Sequence, residues 1–145
     1  MFDSSLDYGL LPSLTGFALR RASLHDFGGF GEAVRDRSIT PLRYSLLEVV
    51  GANPGLSQVQ LAETLGLAKP AATLAIDYWE GRKCVTRRKD PSDRRSYGIV
   101  LTKIGEDTLG ELQTRIVEHD ARLTKSLSVR ELAQLRSLLQ RIYQG

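Results

Sequence analysis

The stretch that most constrains this chain lies between Ser57 and Leu101, where helical hydrophobic spacing gives way to strand spacing. Ser57 is a candidate N-cap for a short helix carrying Val59, Leu61, Ala62 and Leu65, which stops at Gly66. Lys69-Pro70 opens a second helix, with proline in the first turn where no amide hydrogen is missed. That helix carries Ala71, Ala72, Leu74, Ala75, Ile76, Tyr78 and Trp79 and is expected to end near Arg82. The period then changes. Cys84–Arg88 and Tyr97–Leu101 read as strands, with Lys89–Arg94 as the turn between them. Two short helices joined by a glycine turn, followed by a hairpin with a polar, basic tip, have the order and spacing of a helix-turn-helix with a wing.

Charge is concentrated on the same stretch. Between Ala68 and Lys103 nine basic residues face four acidic ones, a net +5, whereas the rest of the chain sums to −2. A basic lobe on a slightly acidic body is the electrostatic footprint of a phosphate-backbone binder. The second helix of a helix-turn-helix enters the major groove and meets base edges with its N-terminal residues. Here those are Lys69, Pro70, Ala71, Ala72 and Thr73, with Ser57 at the start of the preceding helix. Thr73 can donate or accept a hydrogen bond, the alanine methyls can touch thymine methyls, and Lys69 can reach a phosphate or a guanine. Arg87, Arg88, Lys89, Arg94 and Arg95 cluster at the hairpin tip, where a narrow minor groove would attract them. Asp93 can fix an arginine fork or cap the turn through its carboxylate.

Other segments supply helices on either side. An apolar-periodic stretch runs from about Leu10 to Val34, and Gly28-Gly29-Phe30-Gly31 within it is expected to bend the helix or mark its end. Thr40 caps and Pro41 opens the next helix, through Leu42, Leu46, Val49 and Val50 to Gly51. Thr102 caps a long helix with Leu109, Leu112, Ile116 and Leu123 on one stripe. Ser128-Val129-Arg130-Glu131 fits a capping box for a last helix bearing Leu132, Leu135, Leu139 and Ile142. The expected fold is mainly α with a small β-hairpin wing. A winged helix-turn-helix lobe over residues 38–102 is flanked by helical dimerisation regions at 1–36 and 103–145. The terminal stripes exceed what one small lobe covers, so a homodimer is expected, with a monomer core as the alternative. Dimerisation would set half-sites about 34 Å apart and predicts an inverted-repeat site on double-stranded DNA.

Little here suits catalysis. His25 and His119 are the two histidines and Cys84 is the single cysteine, so no disulfide, metal site or cofactor is expected, and no enzyme activity. No stretch reaches the roughly 18 apolar residues of a membrane span, and the first residues lack a basic, apolar leader, so the expected location is the cytoplasm and, for a DNA binder, the nucleoid.

Thr40-Pro41-Leu42-Arg43-Tyr44, Gly55–Ala62, Gly66–Pro70, Asp90-Pro91-Ser92-Asp93-Arg94-Arg95 and Leu101-Thr102-Lys103-Ile104-Gly105 resemble the MarR family of bacterial regulators over roughly residues 38–110. The resemblance implies homodimers with intertwined terminal helices, promoter blocking, and release of DNA by a small aromatic, phenolic or carboxylate effector. It implies Arg95 as the minor-groove arginine with Asp93 as its partner. It also implies an effector cleft between the first helix, the second helix and the DNA lobe, with Phe17, Arg20, His25, Arg43 and Tyr44 as walls and cationic donors. The sequence departs from the family pattern at three places. Ala68 stands where a capping Ser or Thr is common, Leu74 where a polar residue is usual, and Lys83 where a glycine closes the helix, which asks Lys83 for a left-handed backbone. Cys84 reads as a small buried hydrophobe or, through its basic neighbours, as a redox switch. A winged-helix interaction module without sequence choice is the further alternative.

Overall fold

The computed structural model describes every residue except 1, 2, 4 and 94. The expected contact at Arg94 therefore lies outside the described residues. Among the described residues six α-helices and one antiparallel hairpin follow in the order α1 (Thr15–Ala33), α2 (Pro41–Ala52), α3 (Gln58–Thr64), α4 (Lys69–Gly81), β1 (Val85–Lys89), β2 (Tyr97–Leu101), α5 (Lys103–Leu123) and α6 (Val129–Gln144). This is the mainly helical, winged architecture that the sequence pattern predicts.

Local chemistry sets most boundaries. The Thr40 side chain accepts from the Arg43 amide and opens α2. Ser57 and Gln60 form a reciprocal capping box on α3, and Ser128 and Glu131 form one on α6. Thr102 accepts from the Gly105 amide at the start of α5. Ala68 precedes α4 without a side-chain cap, and Lys83 takes φ +59° to close that helix, as the departures from the family pattern predict.

The N-terminal helix differs from expectation. Leu11–Ser13 form a separate 3-10 turn containing Pro12, and Leu14 is extended, so α1 begins only at Thr15. Nor does the glycine stretch end the helix, which continues through Gly28, Gly29 and Gly31 to Ala33. Burial of Phe30 and Val34 in the core outweighs a propensity cost of about 1 kcal/mol per glycine.

The core lies where α2, α3, α4 and the hairpin meet. Leu46, Leu47, Val50, Leu61, Ile76 and Trp79 are fully buried there. Trp79 donates its indole N–H to the Arg43 carbonyl at 2.7 Å, satisfying the ring's polar atom. Leu109 and Leu112 bring α5 into the same cluster. In the hairpin, Val85 pairs with Leu101, Arg87 with Ile99 and Lys89 with Tyr97. Leu56 bridges to the far edge of β2 through Ile99, whose amide donates to the Leu56 carbonyl at 2.8 Å. Strand β2 is thereby paired on both edges.

Candidate nucleic-acid interface and effector cavity

The second helix of the pair, α4, presents one face inward and one outward. Ala72, Ala75, Ile76 and Trp79 point into the core, while Lys69, Pro70, Leu74, Asp77 and Glu80 are exposed. Ala72 therefore corrects the sequence reading. It is 0% exposed and cannot offer its methyl to a base, because at i−4 from Ile76 it lies on the buried stripe. Ala71 keeps partial exposure. The Thr73 hydroxyl is engaged within the protein, donating to the Lys69 carbonyl at 3.0 Å and accepting from Gln58 Nε2. Ser57 uses its hydroxyl to cap α3.

A polar network that residue spacing did not reveal ties the wing to this helix. Arg87 on β1 reaches Asp77 Oδ1 at 3.2 Å, Glu80 Oε2 at 3.1 Å and Gln58 Oε1 at 3.2 Å. The network runs Thr73–Gln58–Arg87–Asp77/Glu80 and joins α3, α4 and β1. Arg87 thus serves as a strut that neutralises two acids on the exposed face of α4, rather than standing open beside Arg88 and Lys89. The available signal was the i, i+3 pair of acids on a helix otherwise suited to a polyanion. Arg88, Lys89 and Arg95 remain exposed along the wing. Asp93 Oδ1 accepts from the Arg95 amide at 2.9 Å, so its carboxylate closes the turn. Of its two alternative roles, turn capping is the one the structure displays.

A second cluster links the α1–α2 connection to the far end of α4. Arg43 and Arg82 stack on the Tyr78 ring, 3.9 and 4.8 Å from its centroid. Ser38 Oγ hydrogen-bonds Tyr78 Oη at 2.7 Å, and Arg82 pairs with Asp36 at 2.7 Å. The Ser38 hydroxyl, foremost, holds the Asp36 carboxyl below its ordinary value, helped by Arg82 and opposed by burial.

The expected effector residues separate. A cavity of about 480 Å³ opens between α1 and α5, lined by Arg21, Leu24, His25, Gly28, Gly29, His119, Arg122 and Leu123. His25 alone of the five expected residues lines it. Arg43 is committed to Tyr78 and to the Ser38 carbonyl. Tyr44 donates to Glu48 at 2.8 Å and packs near Phe30, where burial and then Glu48 push its hydroxyl well above the usual tyrosine range. Phe17 pairs with Tyr8, and Arg20 is exposed on α1 away from the cavity wall. The resemblance placed these side chains around a cleft but did not say which face of α1 or α2 meets α5. His119, whose Nε2 lies 2.8 Å from Asp26 Oδ1, and Arg122 were missed because they come from the far end of the sequence. Cys84 is 2% exposed within the core, with its sulfur 3.7 Å from Thr108 Oγ1, the environment of a packing residue.

Comparison with known proteins gives this geometry its place. The model of the MarR family matches residues 38–96. Across 97% of this chain and 99% of the other, the sequence is 38% identical to the transcriptional repressor CouR in its structure bound to a 23-mer DNA duplex, with a TM-score of 0.89. The chain belongs to the MarR family. A second MarR-type comparison is CouR bound to p-coumaroyl-CoA, at 34% identity, coverage of 95% and 97%, and a TM-score of 0.87. A putative transcriptional regulatory protein for the hcr operon of Thauera aromatica is 29% identical over 141 residues, 97% of this chain and 85% of that protein. This MarR-family chain is a transcriptional regulator by descent, and the named relatives are regulators rather than enzymes. No helix among the described residues is long and apolar enough to cross a membrane.

Proposed function

We propose that the chain is a repressor that binds an inverted-repeat operator as a homodimer and is released from it by a small anionic effector. The observation that carries the DNA reading is the exposed start of α4 lying beside a wing whose Arg88, Lys89 and Arg95 stay exposed. A major-groove helix next to a minor-groove cationic tip is the contact pattern such lobes use. The DNA-bound state of CouR, at 38% identity over nearly the whole chain, supports the same reading. Proposed contacts are Lys69, Pro70 and Ala71 in the major groove and Arg88, Lys89, Arg94 and Arg95 at the wing.

Dimerisation rests on α6 and the surface beside it. No residue of α6 is buried, although Leu132, Leu135, Leu139 and Ile142 form an apolar stripe on it. These leucines line a groove of about 540 Å³ with Leu19, Leu123 and Leu127. A second copy covering this groove would bury the stripe and set the two α4 helices at a fixed separation.

The effector cavity brings Arg21, Arg122, His25 and His119 around Leu24 and Leu123. Two guanidinium groups beside an apolar wall suit a carboxylate or phosphate joined to an apolar or aromatic body. That CouR binds p-coumaroyl-CoA supports an aromatic acid or its thioester as the effector class. The test is a duplex selected by the protein from a random pool, titrated by fluorescence anisotropy at physiological salt with and without such compounds. Tight binding that resists random competitor and falls on adding one of them supports the reading. Binding erased by random duplex contradicts it.

A further inference from the structure

The outer face of α4 has little polar chemistry left for reading bases. Thr73, the one hydroxyl near the helix start, is satisfied by Gln58 and the Lys69 carbonyl. Asp77 and Glu80, which could accept from a cytosine amine, are both held by Arg87. Lys69 stands at the first turn, at the rim of the face. Between these groups lies an apolar surface made by Pro70, Ala71 and Leu74. Leu74 is 68% exposed, and it stands one turn beyond Pro70 on the same side of the helix.

In the major groove, the apolar feature of a base edge is the thymine C5-methyl group. We propose that Leu74 is a specificity-determining residue that packs against a thymine methyl in each half-site. The proposal rests on the operator-binding reading above and adds to it the chemistry of one base position. Arg87 contributes indirectly, because holding Asp77 and Glu80 keeps both carboxylates from competing for that position. The preferred half-site should then carry a thymine whose methyl, rather than its hydrogen-bonding edge, is recognised.

The test uses the full chain and a duplex that it selects from a randomised pool. Each thymine is replaced in turn by deoxyuridine, which removes the methyl and keeps the hydrogen-bonding pattern. Losing one buried methyl should weaken binding about fourfold at one position of a half-site, the fold-change equivalent of about 0.8 kcal/mol. For Leu74→Ala, which changes an exposed side chain and leaves the core intact, the thymine and deoxyuridine duplexes should bind equally. Leu74→Met should restore part of the discrimination. If Leu74→Ala retains the wild-type ratio, or if no deoxyuridine replacement weakens the wild type, the assignment of Leu74 is overturned while operator binding stands. If the pool yields no consensus, sequence-specific binding fails and this inference fails with it.

Discussion

Single residues fix the junctions of this molecule through close contact and local charge. Gly105 is the clearest case. A Cβ built on it would lie 1.9 Å from the Cys84 carbonyl oxygen, a backbone atom that cannot rotate aside. Gly105→Ala must therefore push the start of α5 away from the strand entry, and overpacking of this kind costs about 3 kcal/mol. Thermal unfolding should show a clear fall in Tm, and an unchanged Tm would mean that the contact yields cheaply. Asp36 acts through charge. Its carboxyl is lowered first by the Ser38 hydroxyl, so it contributes stability above its unfolded value of about 3.9 and loses it as pH falls through the lower folded value. Asp36→Asn should consequently destabilise the protein at pH 7 and have a smaller effect at pH 2. Denaturant titrations at the two pH values check this, and an equal loss at both would assign Asp36 a packing role alone.

At the scale of elements, what was legible in the sequence is what neighbouring residues decide among themselves. Thr40-Pro41, Ser57, Thr102 and Ser128 with Glu131 announce helix starts because the capping groups lie within one turn. The wing was equally readable, since its strands are joined by a short turn. Relations between distant elements were not. Nothing in the spacing of Arg87 says that it meets Asp77 and Glu80, and nothing in α1 says that its cavity-facing partners are His119 and Arg122. Ala72 was misassigned because the start of α4 was read by position along the helix rather than by angle around it. The Arg87 strut makes its own prediction. These ion pairs are about half exposed and contribute little to folding, on the order of 1 kcal/mol or less. Arg87→Ala should barely change Tm. It should still weaken duplex binding, because Asp77 and Glu80 would then face the polyanion unneutralised. Arg95→Ala at the wing tip should weaken binding by about 1–3 kcal/mol. Anisotropy titrations on folded variants measure both, and a loss of stability from Arg87→Ala without loss of binding would make the strut purely structural.

At the scale of the whole molecule, a packed lobe that includes parts of α1 and α5 carries a last helix, α6, that finds little to pack on within one chain. Leu132, Leu135 and Leu139 lie along a groove, and Val129, Ile142 and Tyr143 are more than half exposed. Placing carboxylates on that stripe, as in Leu132→Glu with Leu139→Glu, should yield a folded monomer by sedimentation and reduce operator affinity by orders of magnitude. A variant that stays dimeric would move the interface elsewhere. Regulation by this molecule requires that α4 and the wing together read a particular duplex. The most direct measurement is the ratio of affinities for the selected duplex and for random duplex of equal length at physiological salt. The expected ratio is about a thousandfold or more, reduced in Arg95→Ala. A ratio near one, with the protein dimeric and folded, would contradict it.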